Sequence, residues 1–431
     1  MESIDNGPLV WDAEGEQSAE ELYRSRRVVN PSKPDTAGRT ALLWGAKGGH
    51  DQVVEVILRR LDVDPNASGF DGRTPLLWAA KNGHREVVQR LLGRHDVNPN
   101  TGGIDGQTPL WCAAAKGYNE IVQLLLGRED LDPNLSPSYS QTPLSKATNA
   151  GKTDVVRMLL ERSNVNPNQP DNSGRAPLHY AAMRGEHEVV SYFLRRNDVR
   201  PDATDLRGLT PLMTAAEYGR AEVVGLLLER RDVDPNGPGY DNQTALCFAA
   251  QQGKVAVVHK LLGRGDIDPD QADSAQRTPL PLATQRGKGD VVKVLLDRDD
   301  VNPNWPDNRG RAPLHYASER GDVEVVDFLL RRNDIKPDTP DGRGQTPLLT
   351  AAESYQGKVV RILLERGDVN PNKLGYQDQT ALCLASQRGE VEVVKGLLGR
   401  GDINPDLPDR TCLIAPDEGH PPGPPTMDMM K

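Results

Sequence analysis

The stretch GRTPLLWAAKNGHREVVQRLLGRHDVNPN, residues 72–100, reads as two short helices and a loop. Thr74 can cap the first helix through its hydroxyl, and Pro75 suits the first helical position, where φ is preset and no N–H is needed. Leu76, Ala79 and Ala80 stand at i, i+3 and i+4 on one face, with alanines small enough for a close neighbouring helix. Gly83 ends the helix, because left-handed geometry costs glycine little. Val87, Val88, Leu91 and Leu92 give the second helix one apolar face. Pro99 and its flanking asparagines stop that helix and favour a turn.

The pattern recurs. Steps of 34 residues from Thr74 land on Thr108, Thr142, Ala176, Thr210, Thr244, Thr278, Ala312, Thr346 and Thr380, and one step back lands on Thr40. Leucine follows two residues after every landing point, from Leu42 to Leu382. Glycine follows nine residues after it, from Gly49 to Gly389, except at Tyr355, and a proline closes each period from Pro65 to Pro405. The octet GRAPLHYA stands at 174–181 and again at 310–317, four periods or 136 residues on, so a block of four repeats was duplicated. Isolated helices need roughly 12–15 residues to be even marginally stable, so helices this short must bury their apolar faces on neighbouring repeats. The result is an all-α repeat solenoid.

The text TPLHxAAxxG followed by a VVxxLL helix resembles the ankyrin repeat. Pro177, Leu178, His179, Ala181, Ala182 and Gly185 carry the signature best, followed by Pro313, Leu314, His315, Ala317 and Gly321. The resemblance implies stacked helix-turn-helix repeats joined by β-hairpin-like fingers, in a curved array with a concave face. It also implies that the histidine after Pro-Leu bonds the neighbouring finger. The period of 34 departs from the usual ankyrin length of about 33, and the wording is similar to repeat proteins of filamentous fungi. Residues 1–37 read as a degenerate capping repeat whose second helix, AEELYRSRR, is polar. Residues 38–406 read as eleven repeats. Residues 407–431 read as a truncated repeat with a disordered Pro-rich tail, because PPGPP forbids a second helix. Tyr355, in place of the helix-ending glycine, predicts a longer first helix or a shifted turn. Gly45, in place of a packing alanine, predicts a slightly weaker repeat.

Composition agrees with an architecture that lacks one central core. Hydrophobic residues make up 36% of the chain and aromatics 4%, against roughly 45–50% apolar in ordinary domains. No run approaches a membrane span. The start MESIDNGPLV lacks the basic and apolar parts of a secretory signal, so a cytoplasmic or nuclear setting is expected rather than secretion. A net charge of −10 argues against direct nucleic-acid binding. Cys112, Cys247, Cys383 and Cys412 are scattered without metal-ligand spacing, which predicts no metal and no cofactor, and Cys247 and Cys383, at equivalent positions four repeats apart, read as small core-lining thiols. Of the four RGD triplets, three read as the turn after a second helix and the one at Arg320 as the end of a first helix. No Walker, HExxH or GxSxG pattern appears, so no enzyme is expected.

The expected function is a non-catalytic protein-interaction scaffold or adaptor with a protein partner, and no membrane or small-molecule ligand. Where repeats share a scaffold, specificity sits in the columns that vary between them. The fingers vary and carry Phe70, Ile104, Tyr139, Tyr240, Trp305 and Tyr376 on or near one edge. These either bind a partner or pack on adjacent fingers. The first-helix ends vary too, with Lys81, Lys116, Arg184, Tyr218, Arg286, Arg320 and Arg388, a basic set suited to an acidic partner segment. Trp44, Trp78 and Trp111 read as core or inter-repeat packing. By resemblance the scaffold is a regulatory protein, such as a transcription co-regulator. The alternative is a regulatory subunit of a separate enzyme, for example in a fungal metabolic pathway.

Overall fold

The computed structural model describes residues 31–137 and 141–407. Within them lie 22 α-helices and no strand. The fold is the all-α repeat solenoid that the periodicity requires. Contacts divide the chain into two bodies, one ending at Tyr240 and one beginning at Asp241. The N-terminal body carries the helix pairs from Ala41–Gly48 with Asp51–Leu58 to Pro211–Tyr218 with Ala221–Leu228. The C-terminal body carries those from Ala245–Gln252 with Val255–Leu262 to Ala381–Gln387 with Val391–Leu398. The expected capping repeat lies outside the described residues up to position 30, and the expected tail from position 408, Cys412 included.

Each first helix is bounded as its residues dictate. Thr74 Oγ1 accepts the Leu77 N–H at 3.2 Å, Pro75 opens the helix, and Gly83 closes it at φ 84°. Thr40, Thr108, Thr142, Thr210, Thr244, Thr346 and Thr380 cap in the same way. Thr278 does not. Its partner position is Pro281, which has no N–H, and the Thr278 hydroxyl is buried without a hydrogen bond. Tyr355 corrects the expectation made for it. The helix Pro347–Glu353 is not lengthened, and Tyr355 itself takes the left-handed conformation at φ 63°. A side chain there costs about 1–2 kcal/mol, offset in part by the Arg388 guanidinium 4.8 Å from its ring. At Gly45 a methyl group would lie 3.2 Å from Val54 Cγ2, so that site has little room for the alanine of the other repeats.

Within each body, first helices pack on first helices and second on second. Val88 and Leu91 are fully buried, as are their counterparts Val258 and Leu261 in the C-terminal body. Burying each such side chain contributes about 1.5–3 kcal/mol.

Two polar ladders join consecutive repeats. The last carbonyls of a helix have no partner inside it. Arg128 Nη1 donates to the carbonyls of Leu92 and Arg94, in the preceding repeat, at 3.4 and 3.1 Å, while its Nε and Nη2 grip Asp130. Arg332 repeats this in the C-terminal body, on Leu296 at 3.0 Å, Val301 at 3.2 Å and Asp334. The second ladder uses the last asparagine of NPN. Asn100 Nδ2 donates to the Asp130 carbonyl at 2.7 Å, and its Oδ1 accepts the Asp132 N–H at 2.8 Å. Asn304 makes the same pair of bonds to Asp334 and Lys336.

Asp202, Asp270 and Asp338 replace that asparagine. Each carboxylate still accepts an N–H, as Asp270 does from Asn302 at 2.8 Å. A carboxylate has no N–H to donate, and Asp270 Oδ1 is buried without a hydrogen bond. Burial pushes this carboxyl up to about 6 against the pull of the Asn302 N–H, and Asp268 and Asp300 add to the rise. A raised folded-state pKa means the proton is held by the fold. The contribution is fully present below the unfolded value near 3.8 and is lost as pH rises through about 6. Asp270→Asn restores the donor and is expected to raise stability at neutral pH by about 1 kcal/mol. Urea unfolding of both proteins between acid and neutral pH checks this: the difference between them should grow with pH.

Candidate partner-binding surface

The fingers are short loops closed by backbone bonds, such as Asp171 N–H to the Arg175 carbonyl at 3.1 Å. An aspartate braces many of them. Asp205 Oδ1 accepts the N–H groups of Arg207 and Leu209 at 2.8 and 2.9 Å, and Asp307 Oδ1 those of Arg309 and Arg311 at 2.9 and 2.8 Å. Neighbouring fingers are also linked through the backbone. In the N-terminal body the N–H groups of Phe70, Ile104 and Leu206 reach the carbonyls of Ala37, Asp71 and Ser173 at 3.0, 3.1 and 2.9 Å. In the C-terminal body Ser274 and Asn308 do the same to Asp241 and Ala275. The approach is close: a Cβ on left-handed Gly38 would fall 2.7 Å from the Phe70 ring.

These braced turns hold large apolar side chains in solvent. In the N-terminal body Phe70 is 75% exposed, Ile104 76%, Leu206 79% and Tyr240 64%. Tyr376 is exposed in the C-terminal body, on a finger where Gln377 and Asp378 are both left-handed. Leu206 is not among the finger residues named from the sequence; its register, 136 residues after Phe70, is the signal that finds it. Trp305 stands at the entry of its finger, three residues before the tip Asn308, and is less exposed at 36%. Tyr139 lies outside the described residues.

The first-helix ends, basic apart from Tyr218, divide. Lys116, Tyr218 and Arg286 are exposed, and so are Arg184 and Arg320, although those two arginines also bond to the scaffold. Arg184 ion-pairs with Glu186 at 2.6 Å and donates to the Asn149 carbonyl of the preceding repeat at 3.2 Å. Arg320 donates to the Gln285 carbonyl at 3.4 Å, and Arg388 pairs with Glu353 at 3.8 Å. Lys81 lies 5.8 Å from the Trp78 ring. Trp111 Nε1 donates to the Gln141 carbonyl of the next repeat at 2.9 Å, the inter-repeat role read for it. Trp44 is exposed and is no core residue.

The groups that resemble chemistry belong to the scaffold. His179 Nδ1 accepts the Ala176 N–H at 3.2 Å, and its Nε2 meets the Leu209 carbonyl on the next finger at 2.9 Å. Burial lowers its pKa. His315 does the same between Ala312 and Gln345. The Tyr180 hydroxyl donates to Asp171 and takes the Gln141 amide, and burial pushes it up to about 12. The triplets at Arg264, Arg366 and Arg400 are the arginine ladder gripping Asp266, Asp368 and Asp402. Asp322, in the fourth triplet, caps the next helix through Val325 N–H. Cys112 and Cys247 are buried, and burial pushes each thiol up to about 11. Among the described residues no cluster suited to a metal appears, and no helix is long and apolar enough to cross a membrane.

The family model for ankyrin repeats matches in overlapping spans at residues 12–102, 61–137, 94–171, 110–205, 178–273, 246–341 and 333–409. A search of the curated proteins finds no match to the chain.

The octet histidines make a direct test. His315→Leu leaves the Ala312 N–H and the Gln345 carbonyl without their buried partner, at an expected cost of about 2–3 kcal/mol. The folded state favours neutral His315, so its contribution is present above the unfolded value of 6.5 and is lost as pH falls below it. Thermal unfolding on either side of that value should show the wild type weakening toward acid and the variant lacking this share of the slope.

Proposed function

Because the chain belongs to the ankyrin-repeat family, whose members are generally protein–protein interaction modules, we propose that it is a non-catalytic scaffold whose partner protein binds along the finger tips and the adjoining first-helix face. The observation that carries this reading is the set of apolar tips, Phe70, Ile104, Leu206 and Tyr240, exposed on hydrogen-bonded turns. A large apolar group on an already ordered loop gains burial on binding at little further cost in entropy. The perturbed groups support the same reading, because His179, Tyr180 and His315 are committed to structural bonds. Within this reading the protein is a regulatory adaptor of the cytoplasm or nucleus, of the filamentous-fungal type its wording resembles, and a transcription co-regulator is its leading form. Its repeats span 38–406, and the partner is protein, without nucleic acid, membrane, cofactor or small-molecule substrate.

Cross-linking of the purified chain to its native partners, identified by mass spectrometry, tests this. Chromatin factors would support the co-regulator, and a stoichiometric enzyme the regulatory-subunit alternative. Turnover by the chain alone would overturn both. Phe70→Asp with Ile104→Asp should weaken the captured complex at least about tenfold while leaving helix content unchanged. Arg286→Glu probes the basic helix ends, since Arg320 and Arg388 also serve the scaffold.

A further inference from the structure

Cations and indoles interleave on the finger side of the first repeats of the N-terminal body. The Arg39 guanidinium lies 4.1 Å from the Trp44 ring centroid and the Lys47 ammonium 5.1 Å from it. Lys47 is also 4.6 Å from Trp78, whose ring has Arg73 at 5.0 Å and Lys81 at 5.8 Å. Three cations therefore converge on one indole, in a chain whose net charge is −10. The arginines have counter-ions. Arg39 pairs with Asp35 at 3.0 Å, which also takes Trp44 Nε1 at 3.2 Å, and Arg73 pairs with Asp105 at 3.0 Å and Asp71 at 3.5 Å. Among the described residues no carboxylate lies within the 4.0 Å pairing distance of Lys47 or Lys81.

Asp105 feels the Lys81 charge at longer range, yet among the described residues neither ammonium has a carboxylate in direct contact. Like charges brought together destabilise one another, and an anion relieves them. An ammonium held against an indole face has lost some freedom before a ligand arrives, so less is lost on binding. Each ammonium has three donors to offer. The Trp78 Nε1 is buried without an acceptor as well. The pattern is local: the positions equivalent to Lys47 and Lys81 are Gln251, Gln285, Glu319, Glu353 and Gln387 in the C-terminal body. The same strip is partly apolar, with Trp44 exposed and the Arg39 stem against the finger of Phe70, 3.2 Å from where a Gly69 Cβ would lie. Asp35, Asp71 and Asp105 are interspersed among the cations and would oppose a continuous run of phosphates, which disfavours nucleic acid.

We propose that Lys47 and Lys81, set beside Trp44 and Trp78, anchor an acidic peptide segment of a partner protein. The segment's carboxylates take the two ammonium groups, and an apolar side chain rests on Trp44. This proposal rests on the scaffold reading and names the chemistry of its partner. Fluorescence anisotropy of the full chain with a short labelled peptide alternating Glu and Leu tests it. A Lys–Leu peptide and a single-stranded oligonucleotide serve as comparisons. The acidic peptide should bind, more weakly as salt rises, and tryptophan fluorescence should change with it. Lys47→Glu with Lys81→Glu should weaken binding about tenfold or more, Lys47→Arg with Lys81→Arg should retain it, and Glu319→Lys should leave it unchanged. Circular dichroism verifies folding, and Lys47→Gln with Lys81→Gln serves if the reversal does not fold. No binding of the acidic peptide, equal binding by the charge-reversed protein, or tighter binding of the oligonucleotide would overturn the proposal. Native partners captured equally well by the charge-reversed chain would sink it while leaving the scaffold reading intact.

Discussion

Among the described residues, a helix pair ends in carbonyls that its own repeat cannot satisfy, and a following repeat supplies the donors. Arg128 and Arg332 reach back to the last turn of the preceding second helix, and Asn100 and Asn304 tie one loop to the next. A buried carbonyl left unpaired costs roughly as much as a lost hydrogen bond. A repeat is therefore complete only beside its neighbour, in polar as well as apolar terms. This gives the nearest-neighbour coupling of repeat proteins a specific chemical form. It also explains the arginine, aspartate and asparagine letters that recur where helix packing alone would accept almost any polar residue.

The same logic separates scaffold from surface. His179, Tyr180, Arg184 and Arg320 look reactive or recognitional by type, yet each is bonded to a neighbouring repeat or finger. The tips Phe70, Ile104, Leu206 and Tyr240 make no comparable commitment through their side chains, although their turns are fixed. Rigid display of a variable group is what a recognition surface requires, because binding then orders little that was loose.

Local departures show which constraint prevails. At Thr278 the sequence keeps the capping hydroxyl but places Pro281 where its partner N–H should be, and the hydroxyl stays buried and unbonded. At Tyr355 the backbone keeps the left-handed turn although glycine is absent. In both places the packing of neighbouring repeats outweighs a local preference worth about 1–2 kcal/mol. At Asp270 a carboxylate in place of the amide removes one of the rung's two bonds and makes the rung sensitive to protonation.

Read alone, the sequence determined the helix pairs, their caps, their apolar faces and their period, because these depend on residues a few positions apart and recur in register. It also reached the family and the histidine bond to the next finger. It did not separate exposed basic residues that also bond a neighbouring repeat, such as Arg184, from exposed ones such as Lys116, since each is a single letter in one column. It read Trp44 and Trp78 as packing and so passed over the cations gathered on them. Arg39 and Trp44 are close in sequence, but the bond of Arg184 to Asn149 and the approach of Lys47 to Trp78 join one repeat to the next, and only the tertiary structure decides them. The physical reason is that a side chain's partner is set by which carbonyl, carboxylate or ring the neighbouring repeat brings within reach.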